Sequence, residues 1–294
     1  MDRHPCFNKA AHGRWGRLHL PVAPICNIQC KYCDRRYNCA NESRPGVCSR
    51  LVQPEEVASI LKQTLGKRPE IAVVGIAGPG DPLATPETTL TVLETVRRLY
   101  PGLLLCLSTN GLVLANYVND LKDIGVRHVT VTINASTAET AQRIYSRVNA
   151  EDGSAVPTEG LEAAGRLLER QTAALQALRQ HAMTTKVNTV LIPGINTHEV
   201  ENIAKLAARH QAFVMNCIEM IPSPGTPLGE ALAHALPLAP SAREAIIQRA
   251  GLHISQMRHC TRCRADAVGL LHESRGLFTE YTSTPRVSES CMGV

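Results

Sequence analysis

Three closely spaced cysteines, Cys26, Cys30 and Cys33, constrain this chain more than any other feature of its sequence. They follow the apolar run 18–23, so we expect three thiols on one short loop after a strand. A structural zinc site or an electron-transfer [4Fe–4S] cluster generally uses four protein ligands. Three thiolates would therefore leave one iron of a [4Fe–4S] cluster open to a small molecule, with zinc binding and plain electron transfer as the alternatives.

Cysteine usage and charge restrict the class of protein. The 11 cysteines are odd in number and unevenly distributed, whereas a disulfide scaffold is usually a short secreted chain with an even count. No apolar run has the length of a signal peptide or a membrane span, so we expect a cytoplasmic protein without a membrane partner. A net charge of +5 and only 3 Phe, 1 Trp and 6 Tyr argue against nucleic acid as a partner.

Apolar, β-rich runs alternate with helical patterns along the chain. This alternation predicts an α/β fold with a parallel sheet built from six βα units. We expect a single domain over 1–294, with a core at about 17–225 and a C-terminal extension at about 226–294. The predicted strands are 18–23, 71–78, 103–109, 128–134, 186–192 and 213–221, the predicted helices are 54–66, 86–99, 114–124, 137–146, 159–181 and 197–210, and 149–158 is a predicted surface loop.

The segments that follow the predicted strands carry most of the unusual polar sequence. They include the cysteine loop, GPGDP (78–82), STNG (108–111), Asn134, PGIN (193–196) and PSPGTP (222–227). In βα barrels the active site lies at the C-terminal ends of the strands, so this distribution is typical of a catalytic barrel.

With Tyr32 directly before the last cysteine, the loop has the pattern Cys-x3-Cys-x-aromatic-Cys. Through this motif and the Gly-rich loop after the second strand, the sequence resembles the radical S-adenosylmethionine (SAM) superfamily. The resemblance implies a partial (β/α)6 barrel of TIM type, with N- and C-terminal extensions that carry cluster ligands. It also implies that the open iron binds the amino and carboxylate groups of SAM.

A closer resemblance, to the NifB family of nitrogenase cofactor biosynthesis proteins, covers almost the whole chain. It implies a SAM-cleaving, lyase-type maturase that fuses two [4Fe–4S] clusters into an [8Fe–9S–C] precursor, with a carbide derived from SAM and an added sulfur. A 5′-deoxyadenosyl radical would abstract hydrogen from a methyl group that a second SAM has placed on a cluster sulfide. The motifs that carry the resemblance are HPC (4–6), the cysteine region 17–46, GIAGPGDPLA (75–84), CLSTNG (106–111), TINA (132–135), KVNTVLIPGIN (186–196) and CTRC (260–263).

The same resemblance implies partners and a family form. The partners are SAM, cluster donors, a ferredoxin-type electron donor, and downstream cofactor carriers and scaffolds of the NifX and NifEN type. Because the sequence ends at Val294, it resembles the form of the family without a NifX-like domain.

The resemblance assigns three [4Fe–4S] clusters to three sets of ligands. Without it, a lone His in a strand is more often a packed core residue, and CTRC is equally half of a zinc site or a redox pair. Alternation along the third strand places Cys106 and Ser108 on one face, and Cys48, Cys217 and Cys291 are expected to be structural or incidental. The sets are Cys26, Cys30 and Cys33 for the SAM-binding cluster, His19, Cys39 and Cys106 for one substrate cluster, and Cys6, Cys260 and Cys263 for the other.

Residues at strand ends are the candidates for binding SAM. GPGDP stands where the superfamily usually has a Gly-Gly-Glu type loop, so we expect its backbone to bind the methionine amine. Glu42 is the candidate catalytic group that handles protons on the substrate carbon, and an exposed loop carboxylate is the alternative. The candidate SAM contacts are Tyr32, Gly78, Gly80, Asp81, Ser108, Thr132 and Asn134, the last two toward the carboxylate or ribose, and Ile192 toward adenine; ordinary strand-end packing is the alternative for each.

Two other function classes remain open. The first is an iron–sulfur carrier or scaffold without catalysis, which has no need of GPGDP and STNG at its strand ends. The second is a radical SAM enzyme that acts on a peptide or on RNA, which the additional cysteine sets oppose.

Overall fold

A curled sheet of six parallel strands, with a seventh antiparallel strand at one edge, organises the computed structural model. The structure describes residues 3–43, 46–149, 158–273 and 275–278. The strand order is β8-β7-β5-β4-β3-β1-β9, and β9 pairs antiparallel with β1. The parallel strands are β1 (Gly16–His19), β3 (Ile71–Ile76), β4 (Leu104–Thr109), β5 (Val126–Thr132), β7 (Thr184–Leu191) and β8 (Val214–Glu219), and β9 is Val268–Gly269. Six parallel strands are therefore confirmed; five match their predicted bounds within two residues, whereas the first ends at His19, four residues before its predicted end.

Helices follow the strands in chain order and cover one face of the sheet. The predicted helices 86–99 and 114–124 are confirmed at both ends, and the other four are confirmed with shifts of up to three residues. The described helices are α1 (Val57–Lys67), α2 (Pro86–Leu99), α3 (Leu114–Ile124), α4 (Ala138–Ile144), α5 (Gly160–Gln180), α6 (Val200–Arg209), α7 (Pro227–Ala231) and α8 (Pro240–Gly251). Of the predicted loop 149–158, residues 150–157 lie outside the described residues.

A small second sheet holds the cysteine loop in place, and the sequence did not predict it. Strand β2 (Ile28–Cys30) pairs antiparallel with β6 (Tyr145–Val148). The backbone N–H of Lys31 also donates to the carbonyl of Ile144 at 2.8 Å. Three residues are too short to show a strand pattern, yet this pairing ties Cys30 to the end of α4.

Burial separates the two faces of the sheet. In β4, Leu105 and Leu107 belong to the hydrophobic core, whereas Cys106 and Ser108 are half-buried and line an internal cavity. This confirms the predicted alternation, because successive side chains of a strand point to opposite faces.

Segments near both ends of the chain meet below the sheet. His259 Nε2 lies 3.0 Å from the carbonyl of Pro5, and Phe7 packs with Val214 and Met257. The Phe7 ring also lies 5.0 Å from the ring of His128, near the start of β5. These contacts bring Cys6 and the CTRC segment to the N-terminal side of the barrel strands.

None of the helices in the described part of the chain combines the length and apolar character that a membrane span requires.

Candidate functional site

Two adjoining cavities are lined by most of the predicted site residues. The upper cavity lies at the C-terminal ends of the strands, and the lower cavity lies beneath it. The upper cavity is lined by Cys26, Cys30, Cys33, Cys39, Arg35, Gly80, Asp81, Asn110 and Thr132, among others. The lower cavity is lined by Cys6, His19, Cys106, Cys260, Cys263, His4, Lys186, Asn188 and Asn216, among others. Both cavities are lined by Asn41, Glu42, Ala77 and Ser108, which form their shared boundary.

Local backbone geometry brings the first three cysteines to the upper cavity. The N–H of Cys33 donates to the carbonyl of Cys30 at 3.0 Å, which turns the chain sharply after β2. Gln29 Nε2 donates to the carbonyls of both residues, at 3.0 and 2.8 Å, and so holds this turn. From the opposite wall, Asn110 Nδ2 lies 3.7 Å from the Sγ of Cys26.

The chemistry of these thiols fits an iron–sulfur cluster. Burial raises the pKa of Cys26 to about 12 and that of Cys30 well above its usual range, so both are neutral until a metal binds. Cys26, Cys30 and Cys33 are all free thiols. Among the described residues no group of three or more His, Cys, Asp or Glu side chains converges on one metal ion. In a cubane cluster each thiolate binds a different iron, so its ligands stand further apart than those of a single ion.

The GPGDP loop is paired with the chain that leads into the cysteine loop. The N–H groups of Gly80 and Asp81 donate to the carbonyls of Ala23 and Ile25, at 2.6 and 2.8 Å. A Cβ on Gly80 would lie 1.9 Å from the carbonyl oxygen of Ile25, so only glycine allows this approach. These two N–H groups are engaged, and an amine that donates hydrogen bonds would in any case pair with carbonyl oxygens of this loop.

The Asp81 carboxylate joins the loops that follow β3 and β4. It accepts hydrogen bonds from the N–H of Leu83 at 2.9 Å, the hydroxyl of Thr109 at 2.9 Å and the N–H of Asn110 at 2.6 Å. Burial raises the pKa of Asp81, and the hydrogen bonds from these three donors oppose that rise. Asp81 lines the upper cavity, but its carboxylate is committed to holding the two loops together.

Tyr32 and Asn134 connect the cysteine loop to the far strands and do not line either cavity. The buried hydroxyl of Tyr32 donates to Asn41 Oδ1 and accepts from Asn134 Nδ2 at 2.8 Å. Asn134 Oδ1 in turn accepts from the N–H of Val190 at 2.8 Å.

Among the other predicted SAM contacts, Gly80, Asp81, Ser108 and Thr132 line the upper cavity, whereas Gly78 and the fully buried Ile192 do not.

A register row across three strands brings His19 and Cys106 together. His19 of β1 pairs with Gly75 of β3, which pairs with Cys106 of β4. A Cβ on Gly75 would lie 2.6 Å from the Sγ of Cys106 and 3.2 Å from Cδ2 of His19. Both side chains therefore bend over the glycine, into space that any other residue would fill.

His19 has the form of a metal ligand. Its Nδ1 lies 3.1 Å from the carbonyl of Arg264, which can only accept, so Nδ1 carries the hydrogen and Nε2 keeps its lone pair. Burial, reinforced by Arg17, lowers the pKa of His19 to about 4, so the imidazole is neutral at physiological pH. A neutral imidazole with its free nitrogen on the cavity side is the state that binds metals.

Cys39 lies apart from the other two residues of its predicted ligand set. It lines the upper cavity with Cys26, Cys30 and Cys33, and its Sγ accepts from Asn41 Nδ2 at 3.5 Å. His19 and Cys106 line the lower cavity instead. The predicted set thus spans the boundary that the two cavities share.

Glu42 lies on that boundary and is not an exposed loop carboxylate. It is half-buried, it lines both cavities, and Asn188 Nδ2 donates to its Oε1 at 2.9 Å. Asn216 Nδ2 donates to Asn188 Oδ1 at 2.7 Å, which fixes the amide orientation from the next strand. The carboxylate is therefore held toward the cavities from two strands away.

Several residues of the lower cavity were not predicted from the sequence. Lys186, Asn188 and Asn216 project into it from β7 and β8, and His4 from the N-terminal segment. The sequence pattern could have indicated Lys186 and Asn188, because polar residues at every second position of an apolar strand, as in KVN at 186–188, form a polar face inside the barrel. Burial opposes the charge of Lys186, but the Cys6 thiol and Glu42 outweigh it and raise the pKa of the ammonium.

Of the three cysteines expected to be structural or incidental, the two that the structure describes line neither cavity. Cys217 is buried, with its Sγ 3.6 Å from Gln256 Oε1, and lines neither cavity. Cys48 is half-buried and lines neither cavity. Cys291 lies outside the described residues.

Comparison with known proteins identifies relatives over most of the chain. The radical SAM superfamily model matches residues 20–207. The FeMo cofactor biosynthesis protein NifB of Chlorobaculum tepidum is 44% identical over 283 residues, which are 93% of this chain and 63% of that protein. The protein of the same name from Klebsiella pneumoniae is 44% identical over 286 residues, 96% of this chain and 59% of that one. The chain thus spans about three fifths of the length of these relatives.

Solved structures support the fold. HydG, a maturase of the [FeFe]-hydrogenase, superposes with a TM-score of 0.55 at 14% identity, over 83% of this chain and 52% of that one. At this identity the likeness concerns the fold alone, and it confirms the predicted partial barrel.

Proposed function

This chain belongs to the radical SAM superfamily, and from that premise we propose that it is a SAM-cleaving enzyme of nitrogenase cofactor biosynthesis. Members of the superfamily bind SAM and a [4Fe–4S] cluster. The specific reaction proposed is the fusion of two [4Fe–4S] clusters, with a SAM-derived carbide and one further sulfur, into an [8Fe–9S–C] precursor. The relatives named NifB, at 44% identity, support this choice over other radical SAM reactions.

The observation that carries the proposal is the adjacency of two cavities with different ligand sets. Cys26, Cys30 and Cys33 line the upper cavity at the strand ends, where the superfamily places its chemistry. Five further predicted ligands line the lower cavity, namely Cys6, Cys260, Cys263, His19 and Cys106. The lower set is additional to the cysteine motif of the superfamily, and it supports iron–sulfur clusters over a peptide or RNA as the substrate.

The upper cavity would hold the SAM-binding cluster through its three thiolates. When bound, that cluster supplies one electron and an open iron for the reductive cleavage of SAM. The loops around it are tied together, because Asp81 joins the loops after β3 and β4, and its neighbour Gly80 packs against the chain that leads into the cysteine loop. Thr132 and Ser108 line the same cavity and are proposed to contact SAM.

The lower cavity would hold the substrate clusters. Cys6, Cys260 and Cys263 come from the two segments that meet below the sheet, and they form one proposed ligand set. His19 and Cys106, which meet over Gly75, form the second set, with Cys39 reaching from the upper cavity. A substrate cluster bound by this second set would lie at the boundary, next to the site of SAM cleavage.

Glu42 is proposed to take up protons from the carbon on the substrate. Its Oε1 accepts the hydrogen bond from Asn188, which leaves Oε2 to accept a proton. Its position on the shared boundary makes the Glu42 side chain part of the wall of both cavities.

The proposed partners are cluster donors, a ferredoxin-type electron donor and cofactor carriers of the NifX and NifEN type, in the cytoplasm.

The experiment that tests this function supplies anaerobically reconstituted protein with SAM and a strong reductant. We expect 5′-deoxyadenosine together with a product that activates cofactor-deficient nitrogenase. Cleavage of SAM without such a product, in protein that carries all its clusters, would indicate a different radical SAM reaction. Clusters without any SAM cleavage would indicate the carrier or scaffold.

A further inference from the structure

A buried lysine near the start of β7, the strand beside the edge strand β8, lines the lower cavity. Lys186 lies in β7, paired with Thr130 of β5 on one side and Val214 of β8 on the other. Only 6% of its surface is exposed, and it lines the cavity that contains Cys6, Cys106, Cys260 and Cys263. It is thus a cation surrounded by candidate cluster ligands.

The ammonium of Lys186 has no hydrogen-bond or ion-pair acceptor among the residues that the structure describes. Its recorded contact is with the ring of Phe7, whose centroid lies 5.9 Å from Nζ. Glu42, on the cavity boundary, and Cys6 favour the ammonium electrostatically, but neither forms a hydrogen bond or an ion pair with Nζ. The N–H donors of Lys186 therefore lack an acceptor within the described part of the chain, and a buried donor without an acceptor costs free energy.

A second buried cation in the same region, Arg17, has hydrogen-bond acceptors within the protein. Arg17 of β1 is 2% exposed, and its guanidinium donates to the carbonyls of Gly269 and Leu270, each at 2.6 Å. Arg17 therefore holds β9 against β1 and has a structural role. Lys186 has no such acceptors, which indicates that its partner is a ligand of the cavity.

We infer that Lys186 binds the anionic iron–sulfur clusters in the lower cavity by donating N–H hydrogen bonds to their sulfides. The inference rests on the proposed function and adds a recognition residue that is not itself a metal ligand. A [4Fe–4S] core bound by three thiolates carries net negative charge, and its sulfides accept hydrogen bonds. A cluster in this cavity would supply the hydrogen-bond acceptors that the described residues do not.

Two properties separate this role from a structural one. In the cluster-free protein the ammonium is favoured by nearby charges but donates no hydrogen bond, so Lys186→Met, which keeps the length of the side chain, should change the melting temperature little. In the cluster-loaded protein the same variant should hold its clusters less tightly. A lysine needed for packing would instead lower the melting temperature of both forms.

The test measures anaerobic iron release to a chelator from reconstituted wild type, Lys186→Met, Lys186→Arg and the exposed-site control Lys62→Met. We expect about four to eight irons to leave Lys186→Met at least about tenfold faster than wild type, as the loss of a charged hydrogen bond predicts. Lys62→Met should match wild type, and Lys186→Arg, which keeps the charge, should lie closer to wild type than Lys186→Met does.

The other outcomes would overturn either the role of Lys186 alone or the proposed function as well. Equal release rates in wild type and Lys186→Met, with all clusters loaded, would overturn the inference alone. A lower melting temperature of cluster-free Lys186→Met would assign the residue to packing and would also overturn the inference. A wild type that never loads more than about four irons would overturn both this inference and the proposed function.

Discussion

Asn188 Nδ2 donates a 2.9 Å hydrogen bond to Glu42 Oε1 at the boundary between the two cavities. This contact joins the cysteine region to strand β7 and fixes a carboxylate where the two sets of thiols approach each other. The two proposed reactions, cleavage of SAM above this boundary and cluster fusion below it, can be tested independently.

Replacing the carboxylate should uncouple the two cavities. We expect Glu42→Gln to lower precursor formation by about 100-fold, the usual loss when a proton-transfer group is removed, because the amide keeps the shape but cannot take up a proton. Cleavage of SAM to 5′-deoxyadenosine should persist. The control Glu94→Gln, at an exposed position of α2, should retain both activities. Full precursor formation by Glu42→Gln would show that the proton is transferred elsewhere.

Removing one thiol from the upper cavity should abolish SAM cleavage. Cys30→Ala deletes one of the three proposed ligands, so we expect no 5′-deoxyadenosine above background from protein reconstituted and assayed without oxygen. Cys217→Ala is a matched control, because Cys217 is also buried but lines neither cavity. Cleavage that survives in Cys30→Ala would eliminate the radical SAM assignment of this loop.

The CTRC pair should serve the lower cavity alone. We expect the double variant Cys260→Ala and Cys263→Ala to lose about four irons, while SAM cleavage survives without product, because the upper cluster shares no ligand with this pair. If the pair bound zinc instead, zinc content and stability would fall and the iron content would stay unchanged. Measuring both metals and precursor formation on one preparation distinguishes these results.

Gly75 should be needed for the His19 and Cys106 ligands. The Cβ in Gly75→Ala would lie 2.6 Å from the Sγ of Cys106, so the thiol must turn away. We expect the loss of cluster iron from the lower cavity, with a destabilisation of only about 1 to 3 kcal/mol in urea unfolding. At Gly66, in α1, an added Cβ meets nothing within 4 Å. Gly66→Ala should therefore keep its iron and gain about 0.5 to 1 kcal/mol. Normal iron loading in Gly75→Ala would argue against this ligand pair.

The sequence predicted the fold and most members of the site but not how the cavities divide them. Strand positions followed from apolar runs, and the shared face of Cys106 and Ser108 followed from alternation within one strand. Cys39 could not be placed, because it lies on an irregular segment whose path depends on contacts such as the Tyr32 and Asn41 hydrogen bond. Lys186 was missed because its environment is created by segments more than 70 residues away along the chain, around Cys6 and Cys260.

The measurement that tests the account most directly is the iron content of the reconstituted wild type, determined without oxygen and combined with electron paramagnetic resonance. Three sets of ligands in two adjoining cavities predict about twelve irons per chain, present as three four-iron clusters. About four irons, all lost in Cys30→Ala, would contradict the assignment of the lower cavity as the site of the substrate clusters.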